Sequence, residues 1–190
     1  MNTPAHLLVG AALFGRNGGR RVMAAALAGS LTPDLSLYLM SAWAINVQGV
    51  PINHVFDTLY FSEAWQQVFA IDNSIPIWGA LLALALWRGQ GWMVAFTAAA
   101  LLHIGLDFTM HAGDGRPNFW PFTDWVFHSP LSYWDRRHHA HLLEPVLLAA
   151  SLAAFAVLWR GRSWGARAGF GVLAMMELAT SSLMYLLFVD

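Results

Sequence analysis

Long apolar segments, separated by short polar or glycine-rich turns, make up most of the sequence. These segments cover residues 4–15, 22–46, 74–88, 92–110, 142–159 and 168–189. An α-helix rises about 1.5 Å per residue, so crossing a hydrocarbon core of about 30 Å takes about 20 apolar residues. The pattern predicts about five membrane spans. The first segment is too short to cross, and we interpret it as a half-span or a helix tucked into the bundle.

Two regions between the spans have a different pattern. Residues 47–73 mix polar residues with aromatic residues at helix-like spacing, which predicts a helix lying in the membrane interface. Residues 111–141 form the longest polar stretch and hold five of the eight His. Within it, the aromatic and Pro-broken part 118–134 is interpreted as a lid at the membrane surface.

One apolar segment is interrupted by Thr32-Pro33-Asp34. Proline lacks a backbone donor and disfavours helical geometry at the residue before it. The interruption predicts either a kink at Pro33 or two half-helices, with Thr32 capping the second.

The composition agrees with a membrane protein. The chain is 57% hydrophobic and 11% charged, with a mean hydropathy of +0.49, whereas soluble domains carry about 25% charged residues. A net charge of −1 gives no indication of a nucleic-acid partner. The absence of Cys excludes disulfides, Cys-based zinc sites and thiol catalysis. No domain boundary is evident, so residues 1–190 are expected to form a single all-α, polytopic membrane domain.

The basic residues predict an orientation. All ten are Arg, and seven of them lie in the turns 16–21, 88–91 and 160–167. A half-span followed by five spans places the three turns on one side, and the positive-inside rule makes that side cytoplasmic. Most His and several carboxylates then collect toward the opposite, outer side.

The strongest chemical signal is the series His103, Asp107 and His111, spaced at i, i+4 and i+8. On one continuous helix these positions share a face. An imidazole and a carboxylate one turn apart can bind Zn²⁺ or Mn²⁺, and Asp107 could bridge two ions. The alternative is an i,i+4 hydrogen bond that hides polar groups from lipid. Ionisable residues in spans are costly and usually functional, which favours the metal.

Further candidates each have a structural alternative. Asp34 is either a ligand or an acidic residue favoured by the N-terminal dipole of a helix. His6, at the start of the half-span, is weak evidence for a ligand by itself and is supported as one only by the other candidates. His141 and Glu144 share a face at i,i+3, and the alternative is a solvated helix start. His138 and His139 lie in the same dense cluster.

His54 and Asp57 are also i,i+3 neighbours. They are the candidate catalytic residues, with Asp57 as a base or as a residue that orients a ligand. The alternative is that both belong to the polar face of an interfacial helix.

Four stretches, TPAHLLVG, SLTPDL, HVFDT and LLHIGLD, resemble the bacterial family of membrane-bound, metal-dependent hydrolases. Its motifs correspond to Thr3-x-x-His6 with Gly10, Pro33-Asp34, His54, and His103-x-x-x-Asp107, over residues 1–125. The family's Pro-Asp-x-Asp is Pro33-Asp34-Leu35-Ser36 here, and its Thr-His-Ser is at best Asp72-Asn73-Ser74.

A fainter similarity, in the order of the His and Asp residues, is to the zinc phospholipase C and P1 nuclease group. Its late His-Glu pair corresponds to His141-x-x-Glu144, which is one residue shorter than that group's usual step. These enzymes cleave phosphoesters.

The resemblances imply a metal-dependent hydrolase of the bacterial inner membrane. Its expected substrate carries a phosphoester or related bond in a lipid or lipid-linked molecule near the outer face, and its partners are membrane lipids. Zn²⁺ is the expected metal and Mn²⁺ the alternative. The expected ligands are His6, Asp34, His103, Asp107, His111, His141 and Glu144. Alternative functions are a metal or proton transporter, a haem protein, or an accessory subunit without chemistry.

Overall fold

The computed structural model describes the backbone of residues 1–187 and the side chains of residues 1–180, and over this part of the chain every regular element is helical. The helices are α1 (Thr3–Gly10, continued by a π-helical turn Ala11–Gly15), α2 (Arg20–Asn46), α3 (Ile52–His54, continued by a π-helical turn Val55–Leu59), α4 (Glu63–Asp72), α5 (Ile75–Trp87), α6 (Gly91–Phe108), α7 (Ala140–Trp159) and α8 (Trp164–Leu187).

Several helices are long enough to cross a membrane. Four candidate spans combine sufficient length with an apolar composition: Arg20–Asn46, Glu63–Trp87, Gly91–Phe108 and Ala140–Trp159. The helix α8 adds a fifth long segment of 24 residues. The shorter apolar helix Thr3–Gly15 corresponds to the predicted half-span. The predicted all-α membrane bundle is confirmed.

Three local predictions need correction. The helix α2 is continuous with Pro33 inside it, which excludes the two half-helices, and the Thr32 hydroxyl donates to the Ala28 carbonyl at 2.7 Å instead of capping a second helix. The helix α6 ends at Phe108, so His111 follows the helix and does not extend its face. Residues 47–73 form α3, its π-helical turn and α4, and not a single interfacial helix.

Close packing of small residues joins the central helices. A Cβ built on Gly29 of α2 would stand 2.0 Å from the Phe96 carbonyl oxygen of α6, and one on Gly10 of α1 would stand 2.0 Å from Ser30 Oγ. Only glycine allows these backbones to approach so closely. The contacts bring the middle of α2 against both α1 and α6, where the candidate ligands lie.

The three Arg-rich turns meet at one end of the bundle. Arg162 Nη2 donates to the Arg16 carbonyl at 2.6 Å, which joins the first and third turns. The Arg21 guanidinium lies 4.4 Å from the centroid of the Trp92 ring, which joins the first turn to the start of α6. Asp107 lies 16 residues after Gly91, which places it about 24 Å further along α6.

Candidate metal centre

A cluster of His and Asp side chains forms where α1, α2 and α6 meet. His6 comes from α1, Asp34 from α2, and His103 and Asp107 from α6. His6, Asp34 and His103 are almost completely buried, with exposures of 2%, 7% and 1%. Their burial inside an apolar bundle requires that they satisfy each other or a bound cation.

Asp107 is at the centre of this cluster. Its Oδ1 lies 2.9 Å from His6 Nε2, and its Oδ2 lies 3.2 Å from His103 Nε2 and 3.4 Å from His111 Nε2. The Met1 amino nitrogen also lies 2.7 Å from Oδ1. A single carboxylate therefore connects α1, α6 and the loop that follows α6.

The hydrogen bond at the other side of the His103 ring fixes the role of each nitrogen. Nδ1 lies 2.7 Å from the Ser30 carbonyl oxygen. Because a carbonyl can only accept, Nδ1 carries the proton, and Nε2 of the neutral ring is an acceptor. Backbone carbonyls orient metal-binding imidazoles in the same way.

The Nε2 side of His103 faces other acceptors. It lies 3.2 Å from Asp107 Oδ2 and 3.6 Å from Asp34 Oδ2, and it forms no hydrogen bond within the described part of the chain. The lone pair of a neutral imidazole and two carboxylates repel one another unless a proton or a metal cation lies between them. The donor set therefore fits a cation at this point.

The distances also fit a metal ion. One ligand atom each from His6, His103 and Asp107 lies within 4.8 Å of the others. Bonds of about 2.0–2.2 Å in a tetrahedral zinc site place ligand atoms about 3.3 Å apart. The separations from Asp107 to the two His are 2.9 Å through Oδ1 and 3.2 Å through Oδ2, and both are somewhat shorter than this value. The two imidazoles stack, with centroids 3.7 Å apart, and both present an Nε2 to Asp107.

Arg116 holds Asp34 from the opposite side. Its Nη1 and Nη2 each lie 3.2 Å from Asp34 Oδ1, and Nη1 also donates to Asn73 Oδ1 at 2.9 Å. Asn73 in turn donates to the Pro33 carbonyl at 3.2 Å. This buried network fixes the Asp34 carboxylate beside His103.

The sequence interpretation missed Arg116, Asn73 and Asp114. A signal for Arg116 was present, because it lies outside the three Arg-rich turns and directly after the His111 segment. Asp114 was detectable as the i+3 neighbour of His111. Asn73 was considered only as part of Asp72-Asn73-Ser74, the counterpart of the family's Thr-His-Ser, and not as a buried partner for Arg116.

His111 connects the cluster to Asp114. Its Nδ1 lies 2.9 Å from Asp114 Oδ2, which also accepts from Trp134 Nε1 at 3.0 Å. Burial alone would lower the pKa of His111, but the Asp107 and Asp114 carboxylates outweigh it and raise that pKa. His111 Nε2 lies 3.4 Å from Asp107, so this side chain borders the cluster although it follows the helix.

A cavity of about 660 Å³ adjoins the cluster, a volume typical of small-molecule sites. Its polar lining includes Asp34, Asp107, His111, Asp114 and Arg116, and its apolar and aromatic lining includes Leu7, Leu31, Phe56, Tyr60 and Tyr133. The cavity thus offers three carboxylates and one guanidinium to a bound molecule, together with an apolar surface.

The structure does not bring His54 and Asp57 to the cluster. Both are exposed, and the cavity lining among the described residues includes Phe56 and Tyr60 from this segment but neither of them. Val55, which is fully buried, and Tyr60 take the inward positions here. The polar pair is therefore directed away, as in the alternative reading of this segment.

His141 and Glu144 are also separate from the cluster. The first turns of α7 pack through Leu143 and Leu147 against the core at the start of α1, and Ala140 is fully buried. His141 is consequently exposed and Glu144 half-buried. The described structure places the two side chains at a solvated helix start.

No family model matches this chain, and the searches of curated proteins and of solved structures find no match either. The resemblance to membrane-bound hydrolases therefore remains an expectation drawn from the motifs.

Proposed function

We propose that the protein is a metal-dependent hydrolase of the membrane, acting on a phosphoester or related bond in a lipid or lipid-linked substrate. The observation that supports this most is the convergence of His6 Nε2 and His103 Nε2 on the Asp107 carboxylate, at 2.9 Å and 3.2 Å, with Asp34 3.6 Å from the same His103 nitrogen. Imidazoles and carboxylates together are a ligand set that Zn²⁺ and Mn²⁺ accept.

The residues divide into three roles under this proposal. His6, His103 and Asp107 hold Zn²⁺ or Mn²⁺, with His111 and Asp34 next to them. The chemistry that such an ion supplies is Lewis-acid activation of water and of the attacked oxygen. Asp114 Oδ2 lies 2.9 Å from His111 Nδ1 and is therefore in reach to receive a proton from that ring.

Arg116 supports a phosphoester as the substrate. It is buried, lines the cavity, and its Nε forms no hydrogen bond among the described residues. Its two Nη atoms already donate to Asp34, so Nε is the N–H group that can donate to a phosphoryl oxygen, through a charge-assisted hydrogen bond. The apolar and aromatic walls then suit the hydrocarbon part of a lipid-like molecule.

The proposed location is the bacterial inner membrane, with the Arg-rich turns in the cytoplasm and the cluster toward the periplasm. Support comes from the positive-inside rule and from the meeting of the three turns at one end of the bundle.

Metal analysis of the purified protein tests the proposal. We expect near-stoichiometric Zn or Mn in the wild type, loss of the metal in His103→Ala and Asp107→Asn, and retention in the control His128→Ala. His128 is exposed and outside the cluster. Circular dichroism and a monodisperse elution profile establish that each variant is folded.

Hydrolysis of phosphatidic acid and of a lipid diphosphate should follow the metal content across these variants. Equal metal in wild type and His103→Ala would contradict the site. Metal binding without hydrolysis of any phosphoester lipid, combined with metal flux in proteoliposomes, would instead identify a transporter.

A further inference from the structure

A second concave surface lies at the Arg-rich end, away from the His and Asp cluster. A cavity of about 780 Å³ separates the start of α2 from the first half of α8, and we call it the α2–α8 groove. Its charged residues are Arg20 and Arg162, and its large apolar residues are Met23, Leu27, Phe170 and Leu173.

Charge and apolar surface follow one another along the groove. Arg20 is the first residue of α2, and Leu27 lies seven residues later, about 10 Å further along the helix. Arg162 lies two residues before α8, and Phe170 and Leu173 lie on that helix. The groove is therefore positive at the end of the bundle and apolar toward the middle.

The positive charge at this end has no acidic counterpart in the neighbouring sequence. Seven Arg lie in the three turns, and the chain has no Asp or Glu within residues 1–33, 73–106 or 145–176. An adjoining cavity of about 400 Å³ is lined by Arg16 and Arg160 and shares Arg162 with the groove. Arg162 is held by its bond to the Arg16 carbonyl, so one guanidinium is fixed between the two cavities.

We propose that the α2–α8 groove binds an anionic phospholipid. The guanidinium groups contact the headgroup phosphate, and an acyl chain lies along Met23, Leu27 and Phe170. Arg recognises phosphate through paired N–H donors, and basic pockets between membrane helices are typical sites for anionic headgroups. A soluble anion would leave the apolar part of the groove unused.

This lipid is not the proposed substrate. The Arg-rich end lies about 24 Å along α6 from Asp107, so a headgroup bound there does not reach the cluster. The inference therefore stands whether or not the protein is a hydrolase.

Lipid binding to the delipidated full-length protein tests the inference. Native mass spectrometry would measure binding of phosphatidylglycerol and phosphatidylcholine to the wild type, to Arg20→Gln/Arg162→Gln, and to the control Arg88→Gln. Arg88 belongs to the same end of the bundle but does not line the groove among the described residues. The control thus removes charge from this end without changing the groove.

We expect the wild type to prefer phosphatidylglycerol, the double variant to lose roughly thirtyfold in affinity for it, and Arg88→Gln to change it by less than about threefold. An equal loss in Arg88→Gln would show attraction to the whole basic end and would overturn the groove site. Equal binding of both lipids, or equally strong competition by soluble glycerol phosphate, would also overturn it.

Discussion

The two nitrogens of His103 have different partners, and this division defines the site at the scale of single residues. Nδ1 is bonded to the Ser30 carbonyl, while Nε2 faces Asp107 and Asp34. Buried polar atoms are normally satisfied by a partner. Because Nε2 faces two carboxylates, it is satisfied either by a proton of its own or by a metal cation bound between the three groups.

Arg116 gives a test of the carboxylate beside this nitrogen. Replacing Arg116 with Met leaves the buried Asp34 carboxylate without its ion pair, and removal of one partner from a buried pair costs about 3–5 kcal/mol. We expect a correspondingly lower free energy of unfolding for Arg116→Met in detergent. The double variant Asp34→Asn/Arg116→Met should be more stable than Arg116→Met. In the double variant the side chain at position 34 is a neutral carboxamide, so no unpaired charge is buried. A double variant that is less stable than Arg116→Met would contradict the proposed pairing.

At the scale of elements, the approach of α2 to α6 sets the position of the cluster. Gly29 lies against the Phe96 carbonyl, and the following residue, Ser30, provides the acceptor for His103. The helix packing and the orientation of the imidazole thus depend on the same point of α2.

Gly29→Ala should therefore affect both stability and metal binding. Its Cβ would stand 2.0 Å from a backbone oxygen, so the helices must separate, at a cost of about 1–3 kcal/mol. The displaced Ser30 carbonyl would also weaken metal retention in a chelator competition. Gly105→Ala, on α6 with open space around its Cβ, is the matched control and should leave both properties within about 1 kcal/mol of wild type. Unchanged metal retention in Gly29→Ala would contradict the claim that the α2–α6 contact at Gly29 positions His103 for metal binding.

The turn before α7 responds to pH through Asp135. Hydrogen bonds from Arg137 lower the pKa of this carboxyl from 3.8 to about 2. Because the folded-state pKa is depressed, the stabilisation is complete above about pH 4 and is lost as the pH falls through about 2. Asp135→Asn should therefore be less stable than wild type at pH 6, and the difference should shrink between pH 4 and pH 2. A difference that is constant over this range would contradict the ion pair.

At the scale of the whole molecule, the sequence was sufficient for the all-α bundle but only for part of the site. Apolar runs and turns predicted the spans because membrane crossing imposes a minimum length on each helix. His103 and Asp107 were identified because they interrupt such a run. The sequence could not show that His6 is in the cluster while His54 is exposed. The difference depends on which side of each short helix packs inward. Arg116 was missed because its partner Asp34 is 82 residues away.

The absence of cysteine makes the orientation of the whole bundle directly measurable. Single cysteines at Asn17 and Gln90 report on two Arg-rich turns, and one at Thr123 reports on the loop after α6; all three positions are exposed. With the Arg-rich end in the cytoplasm, a membrane-impermeant maleimide should label Thr123→Cys in intact cells, and Asn17→Cys and Gln90→Cys only after permeabilisation.

Two other labelling patterns would each contradict a different part of this topology. Labelling of Asn17→Cys and Gln90→Cys from opposite sides would contradict the meeting of their turns at one end. If Asn17→Cys and Gln90→Cys were both labelled in intact cells and Thr123→Cys were protected, the bundle would be as described but inserted in the opposite orientation. The cluster would then face the cytoplasm, and a substrate at the periplasmic surface would be excluded, because His103 and Asp107 lie near the end of α6 that leads into the Thr123 loop.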